Sequence, residues 1–324
     1  MKRKKVLSLL AETIQELRDN RQWGTAHVYQ STARSFSTFL SLHGVGGVGT
    51  GSTFDQLTPG LLKAYEGYLR DKGCRWNTVA TYMKVLKATY NRAVDRSAAP
   101  FIPRLFKHVR TTPCNERKRA LLATDMHRIF RFSEAIEGST RGASRDRNIE
   151  TSRQLFQLMF LLRGIPFVDV AYLKRSDIHG KTLYYRRRKT GRELCVTLTP
   201  DAQVLIAQLS RHNSTSPYLF PFLQSPEGSE EAYSEYQGAL RRFNHHLRML
   251  SRQIGGGLPT LSSYAARHTW GTLAYHCEVH PGIISEAMGH SSIAVTEVYL
   301  KPFRNEKIDL ANLLVIDHVM QSRY

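Results

Sequence analysis

Between residue 6 and about residue 110, apolar residues recur at intervals of three and four: Val6, Leu10, Ile14 and Leu17, then Val28, Phe36, Phe39 and Leu40, later Val79, Tyr82, Met83, Leu86 and Tyr90. That period places them on single faces of successive helices and predicts a small helical bundle. In "FDQLTPGLLKAYEGYL", Thr58 is placed to cap a helix opening at Pro59, whose fixed φ suits the first helical position. The segment "RTTPCNERKRALL", residues 110–122, is proline-bearing, basic and poor in apolar residues, and reads as a linker. Helical patterns follow near 123–136 and 149–163. The period then changes. "KTLYYRRRKTGRELCVTLTP" sets β-branched and aromatic residues around Thr190-Gly191 and predicts a two-stranded hairpin. Helical patterns return from 201 onward, interrupted by "SPEGSEE" and "GGGLP". The expected fold is mainly α with a small β-sheet or hairpin. It is divided into a helical domain over 1–112, a linker over 113–118 and a second domain over 119–324.

Composition supports folded domains. The 324 residues are 41% hydrophobic and 10% aromatic, ordinary values for a protein with buried cores, and the length exceeds what a single core usually fills. Charge is less ordinary: 46 Lys and Arg against 27 Asp and Glu leave +19. Such an excess favours a polyanionic partner, nucleic acid or an anionic membrane. Residues 1–116 hold 18 of the basic and 8 of the acidic side chains, so positive charge is densest in the helical module. No apolar run reaches the roughly 20 residues needed to span a bilayer, and the best, "LFQLMFLLRGIPFVDV", is broken by Arg163 and Asp169. The basic start "MKRKK" is followed by Glu12 and Glu16 rather than a signal-peptide core. Nucleic acid is therefore the favoured polyanion, membrane the weaker choice, and a cytoplasmic protein is expected. The scattered Cys74, Cys114, Cys195 and Cys277 indicate neither a disulfide framework nor a zinc site. "HCEVH", with His276 and His280 four apart, lacks the glutamate of the zinc-helix motif. No cofactor and no metal are expected.

Several side chains could bind phosphate. Lys189, at the hairpin tip, can reach a ligand or simply be a solvated turn lysine. Of Arg186, Arg187 and Arg188, strand alternation allows only part to face one ligand. Arg267 stands in "LSSYAARHTWGTLAYH", a largely buried helix following a Ser262 or Ser263 cap. It has no acid on that helix, so a distant carboxylate or a phosphate must satisfy it. Arg163 poses the same question, with Asp169 its nearest ion-pair partner. Near the C-terminus, "GHSSIAVTEVYL" sets His290 nine residues before Tyr299, a tyrosine that either packs in a core or performs chemistry.

Arginine, hairpin lysine, arginine, histidine and tyrosine in this chain order resemble the tyrosine recombinase (phage integrase) family. The resemblance rests on "YLKRSDIHGKTLYYRRRKTGRE", "YAARHTWGTLA" and "ISEAMGHSSIAVTEVYLK", and covers nearly the whole chain. It implies a SAM-like helical core-binding domain followed by an α+β catalytic domain. It also implies metal-free phosphoryl transfer, in which Tyr299 attacks a scissile phosphate and forms a 3′-phosphotyrosyl bond. Arg267 and Arg163 would clamp the non-bridging oxygens, Lys189 would protonate the leaving 5′-oxygen, and His290 would hydrogen-bond the phosphate. Two positions depart from the pattern. Tyr264 replaces the usual histidine three before the second arginine, and a phenol is a poor base near neutral pH. The usual position of the first arginine falls on Pro166, which makes Arg163, one helical turn earlier, the expected substitute.

The resemblance further implies a homo-tetramer on short paired DNA sites, joined through the apolar C-terminal helix of "KIDLANLLVIDHV", with room for an accessory DNA-bending protein. A chain that starts with the core-binding module is expected to be a simple recombinase, serving inversion, excision or integration. Lys84 and Lys87, on the polar side of the stripe at 79–90, are the expected DNA contacts. Two alternatives carry different expectations: a DNA-binding or architectural protein weakened by Pro166 and Tyr264, and a type IB topoisomerase acting without sequence choice.

Overall fold

A computed structural model describes residues 5–43, 52–113, 120–132, 143–211, 216–297 and 305–321. Two compact units are present: one of residues 1–116 with 226–233, the other of 117–225 with 234–324. Residues 226–233 group with the first unit although they interrupt the sequence of the second. Most of the expected linker lies outside the described residues, as does Tyr299.

The first unit contains α1 (Val6–Asp19), α2 (Trp23–Leu42), α3 (Pro59–Asp71) and α4 (Trp76–Asp95). Its core is the predicted stripe: Val6, Leu10, Phe36, Phe39, Val79, Met83, Leu86 and Tyr90 are all buried. Each large apolar side chain so buried contributes about 1.5–3 kcal/mol. Tyr65 of α3 completes the cluster, its ring edge-on to Phe36 at 5.0 Å and its hydroxyl donating to Ser35 Oγ at 2.9 Å. Thr58 caps α3 as its position suggests, accepting the Leu61 N–H at 3.1 Å. Lys84 and Lys87 are exposed on α4, opposite the core.

The second unit is helical around one small sheet. After α5 (Ala123–Arg131) and α6 (Ala143–Leu161) come the short α7 (Phe167–Ala171), then β1 (Ile178–His179), β2 (Thr182–Arg186) and β3 (Glu193–Thr197). The strands pair antiparallel in chain order, with Leu183 opposite Val196 and Tyr185 opposite Leu194. β1 is too short to announce itself by periodicity. Then follow α8 (Pro200–Ser210), α9 (Glu230–Ile254, of which residues 230–233 group with the first unit), α10 (Ser263–His276), α11 (Pro281–Met288), α12 (Ile293–Glu297) and α13 (Asn305–Gln321). Phe156, Leu158 and Met159 of α6, Leu183 and Val196 of the sheet, Leu247 and Leu250 of α9 and Ala266 of α10 share the core. α13 differs: Leu310, Leu313, Leu314, Val315, Ile316, Val319 and Met320 are exposed. Among the described residues no helix is long and apolar enough to cross a membrane.

Candidate active site

In the second unit, a cavity of about 310 Å³ opens where α7, the β2–β3 turn, α10 and the loop after α11 meet. Lys189, Tyr264, Arg267 and His290 line it, together with Pro166 and Arg187. These residues are up to 124 positions apart in the chain, so the fold alone brings them together.

Arg267 projects from α10 and is 2% exposed. Its Nη1 donates to the Gly164 carbonyl at 3.1 Å and its Nη2 to the Met288 carbonyl at 2.6 Å, so the ends of α6 and α11 hold the guanidinium from two sides. The close approach depends on glycine. Gly164 has φ 69°, and a Cβ there would lie 2.7 Å from Arg267 Cα. Ser262 occupies the position before α10 but supplies no side-chain cap; Asn244 Oδ1 instead accepts the Ser263 N–H at 2.8 Å.

His290 follows Gly289, which ends α11 in the left-handed conformation at φ 64°. It is 4% exposed and shares a 2.7 Å hydrogen bond between Nδ1 and Thr296 Oγ1. Its pKa is pushed down to about 4, chiefly by burial, with the Arg267, Arg187, Lys189 and Arg192 cations adding to the effect. The imidazole is therefore neutral near pH 7, and with one nitrogen engaged by Thr296 it can serve as a neutral hydrogen-bonding group. The hairpin is tied to the same turn: Thr190 Oγ1 donates to the Gly289 carbonyl at 3.1 Å and Arg192 Nη1 to the His290 carbonyl at 2.6 Å. Those bonds carry Lys189, exposed at the tip, to the cavity wall. Tyr264, at the start of α10 and 42% exposed, meets the His268 ring edge-on at 4.6 Å.

Arg163 is not brought to this cavity. The expectation assumed a continuing helix, but α6 ends at Leu161, and Arg163 and Gly164 take successive left-handed conformations at φ 59° and 69°. The Ile165 N–H reaches back to the Met159 carbonyl at 3.1 Å, and the turn sends the Arg163 side chain to the Cys195 carbonyl of β3, also at 3.1 Å. Nor does Arg163 pair with Asp169. That carboxylate, buried on α7, takes Arg187 as its ion-pair partner and accepts the Arg188 N–H at 3.0 Å. The histidines of "HCEVH" also part company, His276 ending α10 and His280 capping α11 by accepting the Gly282 N–H at 3.1 Å.

Arg187, 5% exposed, is the member of the Arg186–Arg188 run that lines the cavity, a choice the sequence reading left open. A signal existed: Leu183 and Tyr185 are the buried positions of β2, and period-two alternation carries the same face to 187. Arg186 and Arg188 accordingly point elsewhere, Arg186 Nε donating to the Gly191 carbonyl at 2.8 Å and Arg188 lying 3.7 Å over the Tyr172 ring.

Comparison with known proteins identifies the family and the fold. Residues 5–103 match the phage integrase SAM-like domain, and residues 101–306 match the phage integrase family. Among curated protein sequences none matches. Solved structures share the fold at low identity. The Tn1549 transposon integrase in complex with transposon right end DNA is 13% identical, with a TM-score of 0.65 over 95% of this chain and 98% of its own. A lambda integrase dimer bound to a COC′ core site is 15% identical, with a TM-score of 0.61 over 90% and 76%. A lambda integrase tetramer bound to a Holliday junction is 16% identical, at 0.58 over 86% and 72%. Because the catalytic-domain match alone spans well over half the sequence and encloses the whole cavity, the chain belongs to the phage integrase family of tyrosine recombinases.

Proposed function

We propose that this protein is a site-specific recombinase that cuts and rejoins double-stranded DNA through a 3′-phosphotyrosyl intermediate. The observation that carries the reading is convergence: a hairpin lysine, a helix-borne arginine and a neutral histidine, remote in sequence, line one cavity. A phosphodiester gains a further negative charge as it becomes five-coordinate, and cations preorganised in a partly dry site favour that state over the ground state. The Tyr299 hydroxyl loses its proton and its oxygen bonds to phosphorus. The bond from phosphorus to the 5′-oxygen breaks, and Lys189 supplies the proton that releases a 5′-hydroxyl, both protons exchanging with solvent. Arg267 binds the non-bridging oxygens, His290 hydrogen-bonds the phosphate, and Tyr264 adds a phenolic donor in place of a base. The covalent bond retains the energy of the phosphodiester, so a 5′-hydroxyl from a partner strand reverses the step without ATP, and the side-chain cations fill the role a metal ion would otherwise have.

The rest of the molecule fits that task. Lys84 and Lys87 face outward on α4, where they can meet the phosphate backbone, a contact that positions without specifying sequence. The exposed apolar face of α13 suits docking into a second copy, and the lambda integrase tetramer bound to a Holliday junction offers the template for a homo-tetramer on paired sites. Such an assembly, at the nucleoid and with an accessory DNA-bending protein where sites require it, would invert, excise or integrate an element. The test is covalent capture: incubate the protein and a Tyr299→Phe version with sheared total DNA of the source cell, denature, and sequence what remains bound. Adducts of the native chain alone, clustered at related sites, are expected. Scattered adducts point to a topoisomerase, and adducts that survive the Tyr299→Phe change refute the assignment of the nucleophile.

A further inference from the structure

On the proposed reading Arg267 alone meets the scissile phosphate, and the resemblance puts Pro166 where the family's other arginine is expected. We infer that Arg187, the residue immediately after β2, supplies the second phosphate-binding guanidinium, and that Asp169 positions it. This inference rests on the recombinase reading of the same cavity.

Four observations point to Arg187. It lines the cavity with Arg267, Lys189 and His290, which Arg163 does not. It is 95% removed from solvent, yet its Nε has no hydrogen-bond partner among the described residues. A guanidinium carries five donors in a planar fork, and burying one of them unsatisfied is unfavourable unless a ligand completes it. Asp169 engages Nη1, which orients the group and leaves further donors for a second anion. The surroundings also reserve space for it: a Cβ at Gly289 would stand 2.8 Å from Arg187 Cγ, so the turn that presents His290 must be glycine for Arg187 to pass.

The chemistry explains why an arginine suits this place and an ion pair does not neutralise it. One edge of the fork can hold a carboxylate while another holds a phosphate oxygen, an arrangement a lysine ammonium cannot reproduce. Asp169 lies on α7, directly after Pro166, so the segment that lost its own arginine secures one arriving from the hairpin.

The test uses a duplex carrying a captured site, with the scissile linkage either a phosphodiester or a methylphosphonate, which lacks one charged non-bridging oxygen. Arg187→Ala should slow adduct formation on the phosphodiester by roughly 10²–10³-fold, the usual effect of losing one oxyanion donor, and most of the loss should return on the methylphosphonate. Arg163→Ala should match the native chain on both. Asp169→Asn should slow the phosphodiester reaction less than Arg187→Ala and be rescued in the same way. If Arg187→Ala fails to bind DNA or melts early, Arg187→Lys, which keeps charge and loses the fork, carries the same comparison. A native phosphodiester rate for the Arg187 variant, or a loss the methylphosphonate does not relieve, would overturn this inference alone while an inactive Tyr299→Phe upheld the recombinase reading. Absence of adducts from the native chain would overturn both.

Discussion

Lowering the pH should destabilise the second unit through His290, and by an amount the structure sets. The imidazole has a pKa of about 4 in the folded chain against an ordinary 6.5, because burial and the surrounding arginines and Lys189 disfavour its charged form. Its folded pKa is depressed, so between those values the unfolded chain binds a proton that the folded chain refuses. Stability is thus fully present above pH 6.5 and is lost as the pH falls towards 4. One pKa unit corresponds to roughly 1 kcal/mol, so the loss is about 1 kcal/mol at pH 5.5 and about 2–3 kcal/mol at pH 4.5. Urea unfolding at pH 7, 5.5 and 4.5 measures it. Trp270 is the single tryptophan of that unit, so its fluorescence reports there once Trp23 and Trp76 are changed to phenylalanine. Comparison with His290→Gln in the same background cancels the other twelve of the thirteen histidines. The native chain should lose stability relative to the variant as pH falls. A difference between the two proteins that stays constant from pH 7 to 4.5 would refute the neutral-histidine account, and with it the hydrogen bond from an uncharged imidazole to phosphate.

Gly164→Ala must place a side chain in a left-handed residue, at about 1–2 kcal/mol, and push on the α10 backbone, at about 1–3 kcal/mol. Urea unfolding should show the combined loss, whereas a change under about 0.5 kcal/mol would mean that α10 yields freely. Gly67→Ala, on an exposed face of α3 with nothing within 4 Å of the added carbon, should instead stabilise the first unit by about 0.5–1 kcal/mol. Replacing Lys84 and Lys87 together by alanine should weaken binding equally on all DNA sequences and flatten the log affinity against log salt slope by about 2; an unchanged slope removes both from the interface. Changing Leu313 and Leu314 of α13 to glutamate should leave the melting temperature of the free protein unchanged and abolish higher-order complexes on paired sites. Early melting would show instead that α13 packs on its own unit.

Much of this molecule was legible because its signals are local. The stripe from Val6 to Tyr90 is a period, and a period buries one face whatever surrounds it; the Thr58-Pro59 start of α3 follows from one hydroxyl and one fixed φ. Lys189 was legible because a hairpin exposes its tip. Arg267, the lone charge on an apolar helix, declared that something must satisfy it. The side chains of "RRR" were harder, since assigning each arginine a face requires knowing which strand residues are buried.

What sequence determined, then, is the inventory and its order: two helical regions, a hairpin, and a set of cations followed by histidine and tyrosine. Tertiary structure decided which of them meet. Arg163 and Arg187 are equally basic on paper. A pair of left-handed residues after α6 turns one away to a strand carbonyl, while strand alternation, Asp169 and the space left by Gly289 bring the other into the cavity. Helical and strand periods are properties of neighbours in the chain, whereas a phosphate-sized cavity is enclosed by groups that only long-range packing can bring together.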